Sequence, residues 1–218
     1  MNYDSVPLRD FKELNDWETV IFVYQSALKQ VETKIDILNG EFQHRHKYNP
    51  IEHVKSRIKT PESIVKKLKR HGYESSIENM VRYVNDIAGI RISCSFTSDI
   101  YLIADMISKQ NDLTILARRD YMKNPKKSGY RSYHMQVTTP VFLSDSIIDT
   151  KVEIQIRTVA QDFWATLEHK MHYKFEGDGP DYITKELREC ARYVAELDTR
   201  MEELNNEIQK YGKLSDKK

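Results

Sequence analysis

Two acidic side chains stand where chemistry could be done. Glu153 alternates with Gln155 and Arg157 along a segment whose intervening residues are Val152, Ile154 and Ile156. A period of two predicts a strand over Lys151–Arg157. A strand this apolar on one face belongs inside a sheet, so its polar face should line a cleft. A carboxylate, an amide and a guanidinium in a row can bind a metal, a sugar hydroxyl and a phosphate. Asp86 precedes a second alternating run, in which Ile90, Ile92, Cys94 and Phe96 oppose Arg91, Ser93 and Ser95. Carboxylates at Asp86 and Glu153 on neighbouring strands would make a Mg²⁺ site completed by substrate phosphates and water. The plainer alternatives are a turn cap at Asp86 and a solvent face at Glu153.

The cations are grouped. Lys55 to Arg70 holds seven Lys/Arg against one acid, and Arg118 to His134 holds six against one, although the whole chain has a net charge of only +1. Two local basic segments in a near-neutral protein suit a small, highly anionic ligand in a cleft rather than a bulk polyanion. In the first, Ser63, Lys67 and Arg70 share one helical face, opposite Ile64, Val65 and Leu68. In the second, strand geometry beginning at Tyr130 would put Tyr130, Ser132 and His134 on one side. An aromatic among cations is a platform for a nucleobase; a solvated surface hairpin is the simpler reading.

These groups need a scaffold, and the periodicity supplies one. Leu14, Trp17, Ile21, Tyr24, Leu28, Val31, Ile35 and Leu38 alternate spacings of three and four, which predicts a helix within residues 10–40, capped at Asn39-Gly40. Leu187, Cys190, Val194, Leu197, Met201, Leu204, Ile208 and Tyr211 repeat the pattern and predict a last helix within 180–212, after a break at Gly177-Asp178-Gly179-Pro180. Between them, a core over 50–175 should hold a helix capped by Thr60 with Pro61 at its first position. It should also hold strands at 90–96, 113–121, 133–143 (interrupted by Pro140) and 151–157, and helices at 98–109 and 159–173. The fold class is α/β (α+β): one domain, with a central mixed sheet of four to five strands flanked by helices and long helices at both ends. The narrow terminal seams need partners: each other, the body of the domain or another subunit; a mixture of these is expected, and with it a homo-oligomer.

Composition sets limits. The chain has 218 residues, 39% hydrophobic and 31% charged, and a mean hydropathy of −0.65. Its apolar runs fall far short of the roughly 18–20 residues of a membrane span. No basic-then-apolar leader opens it, and Cys94 and Cys190 lie far apart; both features predict a reduced, cytoplasmic protein. Neither G-x-G-x-x-G nor a Walker A sequence occurs. His44-x-His46 supplies two ligands, too few for a zinc site, and reads as solvated loop histidines.

Five segments carry a resemblance: Arg57-Ile58-Lys59-Thr60-Pro61, Asp86 to Arg91, Ser128 to His134, Val152 to Thr158, and Trp164 to Lys170. In order and spacing they resemble the synthetase motifs of the RelA/SpoT homologues, over nearly the whole chain. The likeness is to the single-domain small alarmone synthetases, on a nucleotidyltransferase-like synthetase fold. The resemblance implies transfer of the β,γ-pyrophosphate of ATP to the 3′-hydroxyl of GTP or GDP, giving AMP and (p)ppGpp. It implies Asp86 and Glu153 as Mg²⁺ ligands, with Glu153 also orienting or deprotonating the hydroxyl. Arg57, Lys59, Ser63, Lys67, Arg70 and Arg91 would hold ATP. Tyr130 would stack on guanine, Lys126 and His134 would bind the acceptor phosphates, and Gln155 its ribose. Ser132, Arg157, Glu168 and His169 complete the acceptor side. It further implies a homotetramer.

No His-Asp dipeptide occurs, so degradation of the product is not expected. The resemblance also implies that pppGpp can activate some members at a subunit interface with basic residues of the first helix; here that helix presents Glu32, Lys34 and Asp36, a mixed face, so such activation is expected to be weak or absent. The competing class is a non-catalytic RNA-binding or scaffold module, which has no use for buried carboxylates beside phosphate grips. RNA binding in addition to catalysis is not predicted. A different nucleotidyltransferase would be expected to carry a D-x-D pair, and none was found.

Overall fold

The computed structural model describes the backbone of residues 16–46, 48–174 and 181–215, and the side chains of 16–46, 48–171 and 182–210. The chain runs α1 (Trp17–His46), β1 (Ile51–Ile58), α2 (Pro61–Arg70), α3 (Ile77–Tyr83), β2 (Ala88–Cys94), α4 (Thr97–Ser108), β3 (Thr114–Asp120), β4 (Tyr133–Phe142), β5 (Ile147–Thr158), α5 (Val159–Lys174) and α6 (Asp181–Ser215). The five strands form one mixed sheet in the order β1-β2-β5-β4-β3. Only β2 and β5 pair in parallel; the other pairs are antiparallel.

β5 lies in the middle, as its apolar face demands, and Val152, Ile154 and Ile156 are fully buried. They join Ile90, Ile92, Met135 and Val137 in a core covered by α1 and α4. α1 contributes Val20, Val23, Tyr24, Ala27, Leu28, Val31 and Ile35, a broader stripe than the expected seam, because it packs on a sheet rather than on one helix. The expected cap at Asn39-Gly40 does not end it. The helix continues to His46, and Phe42 packs against Tyr48 beyond its end. His44 and His46 are therefore exposed residues of the last helical turn rather than of a loop.

The start of α2 follows its sequence signal. Thr60 Oγ1 accepts from Ser63 N at 3.3 Å, and Pro61 occupies the first turn. Pro140 does not interrupt β4. It pairs with Asp149 of β5, while the ladder to β3 stops at Thr138, so the proline stands where one edge of the strand is open. The break expected at residues 177–180 lies outside the described residues.

α6 is only partly covered. Trp164, Ala165 and Ala191 form a small cluster joined by Tyr130, Leu187 and Val194, which ties the first turns of α6 to α5 and to the loop before β4. Farther along, Leu197, Met201, Leu204 and Ile208 are exposed. Among the described residues no helix is long and apolar enough to cross a membrane.

Candidate active site

The register of the sheet assembles the polar face. Arg57 of β1, Gly89 of β2, Glu153 of β5 and Gln136 of β4 stand side by side across four strands. The next row is Lys55, Arg91, Gln155 and His134. Paired residues point to the same face, so one row brings a carboxylate beside a guanidinium with a gap at Gly89. The adjacent row adds an amide and an imidazole.

Two cavities open on this face. One, of about 220 Å³, is lined by Arg57, Asp86, Gly89, Arg91, Glu153 and Gln155, with Lys55, Ser56 and Ile90. The other, of about 450 Å³, adds Lys126, Tyr130, His134, Arg157, Glu168 and His169, and reaches Thr166 and Lys170 on α5. Arg57, Arg91 and Gln155 belong to both. They form the seam between the two chambers.

Asp86 is clamped. Lys59 Nζ and Lys67 Nζ each donate to it at 2.7 Å, one to each carboxylate oxygen. Burial alone would raise the Asp86 carboxyl, but the two lysines outweigh it and hold the group below the ordinary carboxylate value. Glu153 behaves oppositely. Burial raises it and the charge of Asp86 adds to that, against a 2.8 Å hydrogen bond donated by Gln155 Nε2. Two carboxylates at one cavity are thus driven apart in proton affinity, the pattern that separates a resident anion from a proton acceptor.

In the larger cavity, Tyr130 Oη lies 2.9 Å from His134 Nε2. Lys126 Nζ stands 4.7 Å from the Tyr130 ring centre. Burial, with Lys126, Arg157 and Arg119 nearby, lowers His134 to about 3, so its imidazole is neutral at pH 7. Tyr130 reaches His134 although regular strand pairing begins only at Tyr133. Ser132 turns inward: it is fully buried, and its hydroxyl donates to Ile156 O at 3.1 Å. It offers nothing to a ligand. Ser63 and Arg70 are exposed on α2 and line neither cavity, although they share the helix with Lys67.

Three features escaped the sequence reading. β1 is mostly exposed and has too few apolar residues to show a period in the sequence. Asp162 sits in the first turn of α5, where an acid reads as a partner of the helix dipole; in the fold it meets both Arg157 and Arg91. Lys151 opens the alternating run in the sequence, with nothing there to mark it further. It is buried, and its ammonium donates to Arg82 O and Asn85 Oδ1 behind the Asp86 turn.

Residues 56–178 match the family model described as a region found in RelA / SpoT proteins. The chain is 45% identical to the GTP pyrophosphokinase YwaC of Bacillus subtilis, over 89% of its own length and 93% of that protein. The chain belongs to the RelA/SpoT family. Among solved structures, small alarmone synthetase 1 from Bacillus subtilis bound to its product pppGpp superposes with a TM-score of 0.82 at 34% identity, covering 88% of this chain and 98% of that one. The same synthetase bound to AMPCPP gives 0.76 at 32% identity, covering 89% and 98%. Membership in the RelA/SpoT family accounts for the order of the five motifs, all of which border the two cavities or the helices that shape them.

Proposed function

We propose that this protein is a (p)ppGpp synthetase: it transfers the β,γ-pyrophosphate of ATP to the 3′-hydroxyl of GTP or GDP, releasing AMP. The observation that carries the reading is the pair of cavities sharing Arg57, Arg91 and Gln155, with Glu153 in the smaller one bound to Gln155 of that seam. A two-substrate transfer needs this arrangement, since donor and acceptor must meet in line. The smaller chamber takes the triphosphate of ATP, with Arg57 and Arg91 as its guanidinium grips and Lys59 and Lys67 close behind Asp86. The larger takes the guanine nucleotide, with Tyr130 under the base and Lys126 and Arg157 toward its phosphates. Glu153, with raised proton affinity and held by Gln155, orients the 3′-hydroxyl and accepts its proton.

Asp86 and Glu153 suit Mg²⁺. They are hard oxygen donors on one cavity, and Mg²⁺ is commonly held by one or two carboxylates plus substrate phosphates. When bound, the ion would neutralise phosphate charge. The two lysines on Asp86 occupy that carboxylate until the donor phosphates offer them another anion.

The exposed apolar stripe of α6 supports a homo-oligomer, a tetramer on the family resemblance; light scattering of the purified protein reads its mass. The cytoplasm is the compartment proposed. Glu32 and Lys34 are engaged within the chain, with Ser56 and Asp112 respectively, which supports weak activation by pppGpp.

Incubation with ATP, GTP and Mg²⁺ followed by anion-exchange chromatography tests the reaction. Wild type yields AMP and pppGpp, and Glu153→Gln yields neither. A Glu153→Gln variant at full rate would remove Glu153 from the role given to it, and an inert wild type would reject the activity.

A further inference from the structure

We infer that Ala191 of α6 is a positioning residue that sets the acceptor pocket, and that its small size determines how well a guanosine nucleotide is held; this rests on the function proposed above. Lys126 and Tyr130 both belong to one tight turn. Gly129 N donates to Lys126 O at 2.8 Å, and Lys126 N donates to Tyr130 O at 3.1 Å. Gly129 has φ +92°, in the left-handed region that favours glycine. A Cβ added there would stand 2.5 Å from Ala191 Cβ and 3.9 Å from the Arg188 backbone. The turn is therefore pressed against α6 with no room for a carbon on Gly129.

Ala191 stands against Gly129 at the edge of an open cavity of about 360 Å³ that Pro125, Arg131, Arg188 and Ala195 also line, and whatever part of a larger side chain does not enter that cavity presses on α6 or the turn. α6 is anchored on both sides of the contact. Trp164 Nε1 donates to Leu187 O at 2.9 Å, and Asp198 Oδ2 accepts from Thr158 Oγ1 at 2.8 Å and from Gln161 Nε2 at 2.7 Å. The turn is held through Tyr130, whose Oη lies 2.9 Å from His134 Nε2, but its outer residues Pro125, Lys126 and Lys127 are exposed. The turn gives way and carries Tyr130 and Lys126 with it. No residue of α6 lines the smaller cavity, so the ATP side keeps its geometry.

Steady-state kinetics of Ala191→Leu, Ala191→Val and Ala191→Gly test this, with GTP and ATP varied in turn, alongside calorimetric titration of GDP without ATP. Misplacement by about 1 Å is enough to expect Ala191→Leu to raise the KM for GTP about tenfold or more, with the KM for ATP within about twofold of wild type. Ala191→Val should fall between, and Ala191→Gly should keep the acceptor KM. Gly129→Ala, approaching the same contact from the turn, should reproduce the selective loss if the leucine variant does not fold. An unchanged acceptor KM in a folded Ala191→Leu, or equal rises for both substrates, overturns the inference. An inert wild type would instead fail the proposed reaction, and the GDP titration would still judge Ala191 by whether the leucine weakens binding.

Discussion

Asp162 Oδ1 of α5 lies 2.6 Å from the guanidinium of Arg157, the last charged residue of β5. The same oxygen stands 3.6 Å from Arg91 of β2. Arg91 lines both cavities and Arg157 the larger one, so one carboxylate holds two cations that face the reaction. Arg157 is almost wholly buried, and removing its partner leaves a buried charge uncompensated. Asp162→Asn is expected to lower kcat/KM by about 10- to 100-fold, with both substrates affected. Steady-state kinetics beside a thermal melt check it; a folded variant at wild-type efficiency would show that the arginines need no such tether.

Gly89 forms part of the floor of the smaller cavity, in one row with Arg57 and Glu153. A Cβ there would meet only Arg57 Cγ, at 4.0 Å, an ordinary contact. Gly89→Ala should keep activity within about threefold, because a methyl fits. Gly89→Leu extends into the space assigned to the donor phosphates and should raise the KM for ATP by about tenfold or more. The comparison of the two, with circular dichroism as a control for folding, separates occupied volume from backbone freedom.

Four of the five strands are legible in the sequence, the edge strand β3 among them (expected at 113–121, found at Thr114–Asp120), and the other edge, β1, is not. β5 and β2 show clean alternation because each is buried on one face and polar on the other. The stripe of α1 was equally plain, but where the helix ends was not. The cap signal at Asn39-Gly40 lost to continued packing beyond it. β1 carried Arg57 into the site without any strand period, since most of its residues are exposed and few are apolar. Asp86 and Glu153 were readable as acids beside apolar runs. The lysine clamp on Asp86 was not, because Lys59 and Lys67 come from a loop and a helix that only the fold brings together. Ser132 misled for a related reason: the alternation of Tyr130, Ser132 and His134 starts before regular strand pairing does.

His134 provides a pH test. Its folded-state proton affinity is lowered from an ordinary 6.5 to about 3, chiefly by burial. Between those values the unfolded chain binds a proton that the folded chain refuses, so this residue makes stability fall as pH drops below about 6.5. His134→Gln removes that contribution. From pH 7.5 to 5.5 the wild type should lose about 1 kcal/mol more than the variant. Urea unfolding at both values reads the difference, and parallel losses would mean that the folded state admits the proton.

Lys151 presents a buried ammonium to two neutral oxygens, Arg82 O at the end of α3 (3.2 Å) and Asn85 Oδ1 (3.0 Å). Gln136 Nε2 secures the same turn from β4, donating to Asn85 O at 2.9 Å. The turn these contacts fix is the one that carries Asp86. Burial lowers Lys151 from 10.5 to about 8. The charged form is therefore a burden on the fold below pH 8, and the burden lifts as pH rises from 8 toward 10.5, where the unfolded chain still holds its proton. Lys151→Met loses this dependence, so its stability relative to wild type should decline between pH 7.5 and 9.5 in urea unfolding. At pH 7.5 the variant should stay folded yet turn over about tenfold more slowly, because Asp86 loses the support beneath its turn. Full activity in Lys151→Met would show that Gln136 and the lysines on Asp86 suffice to hold it.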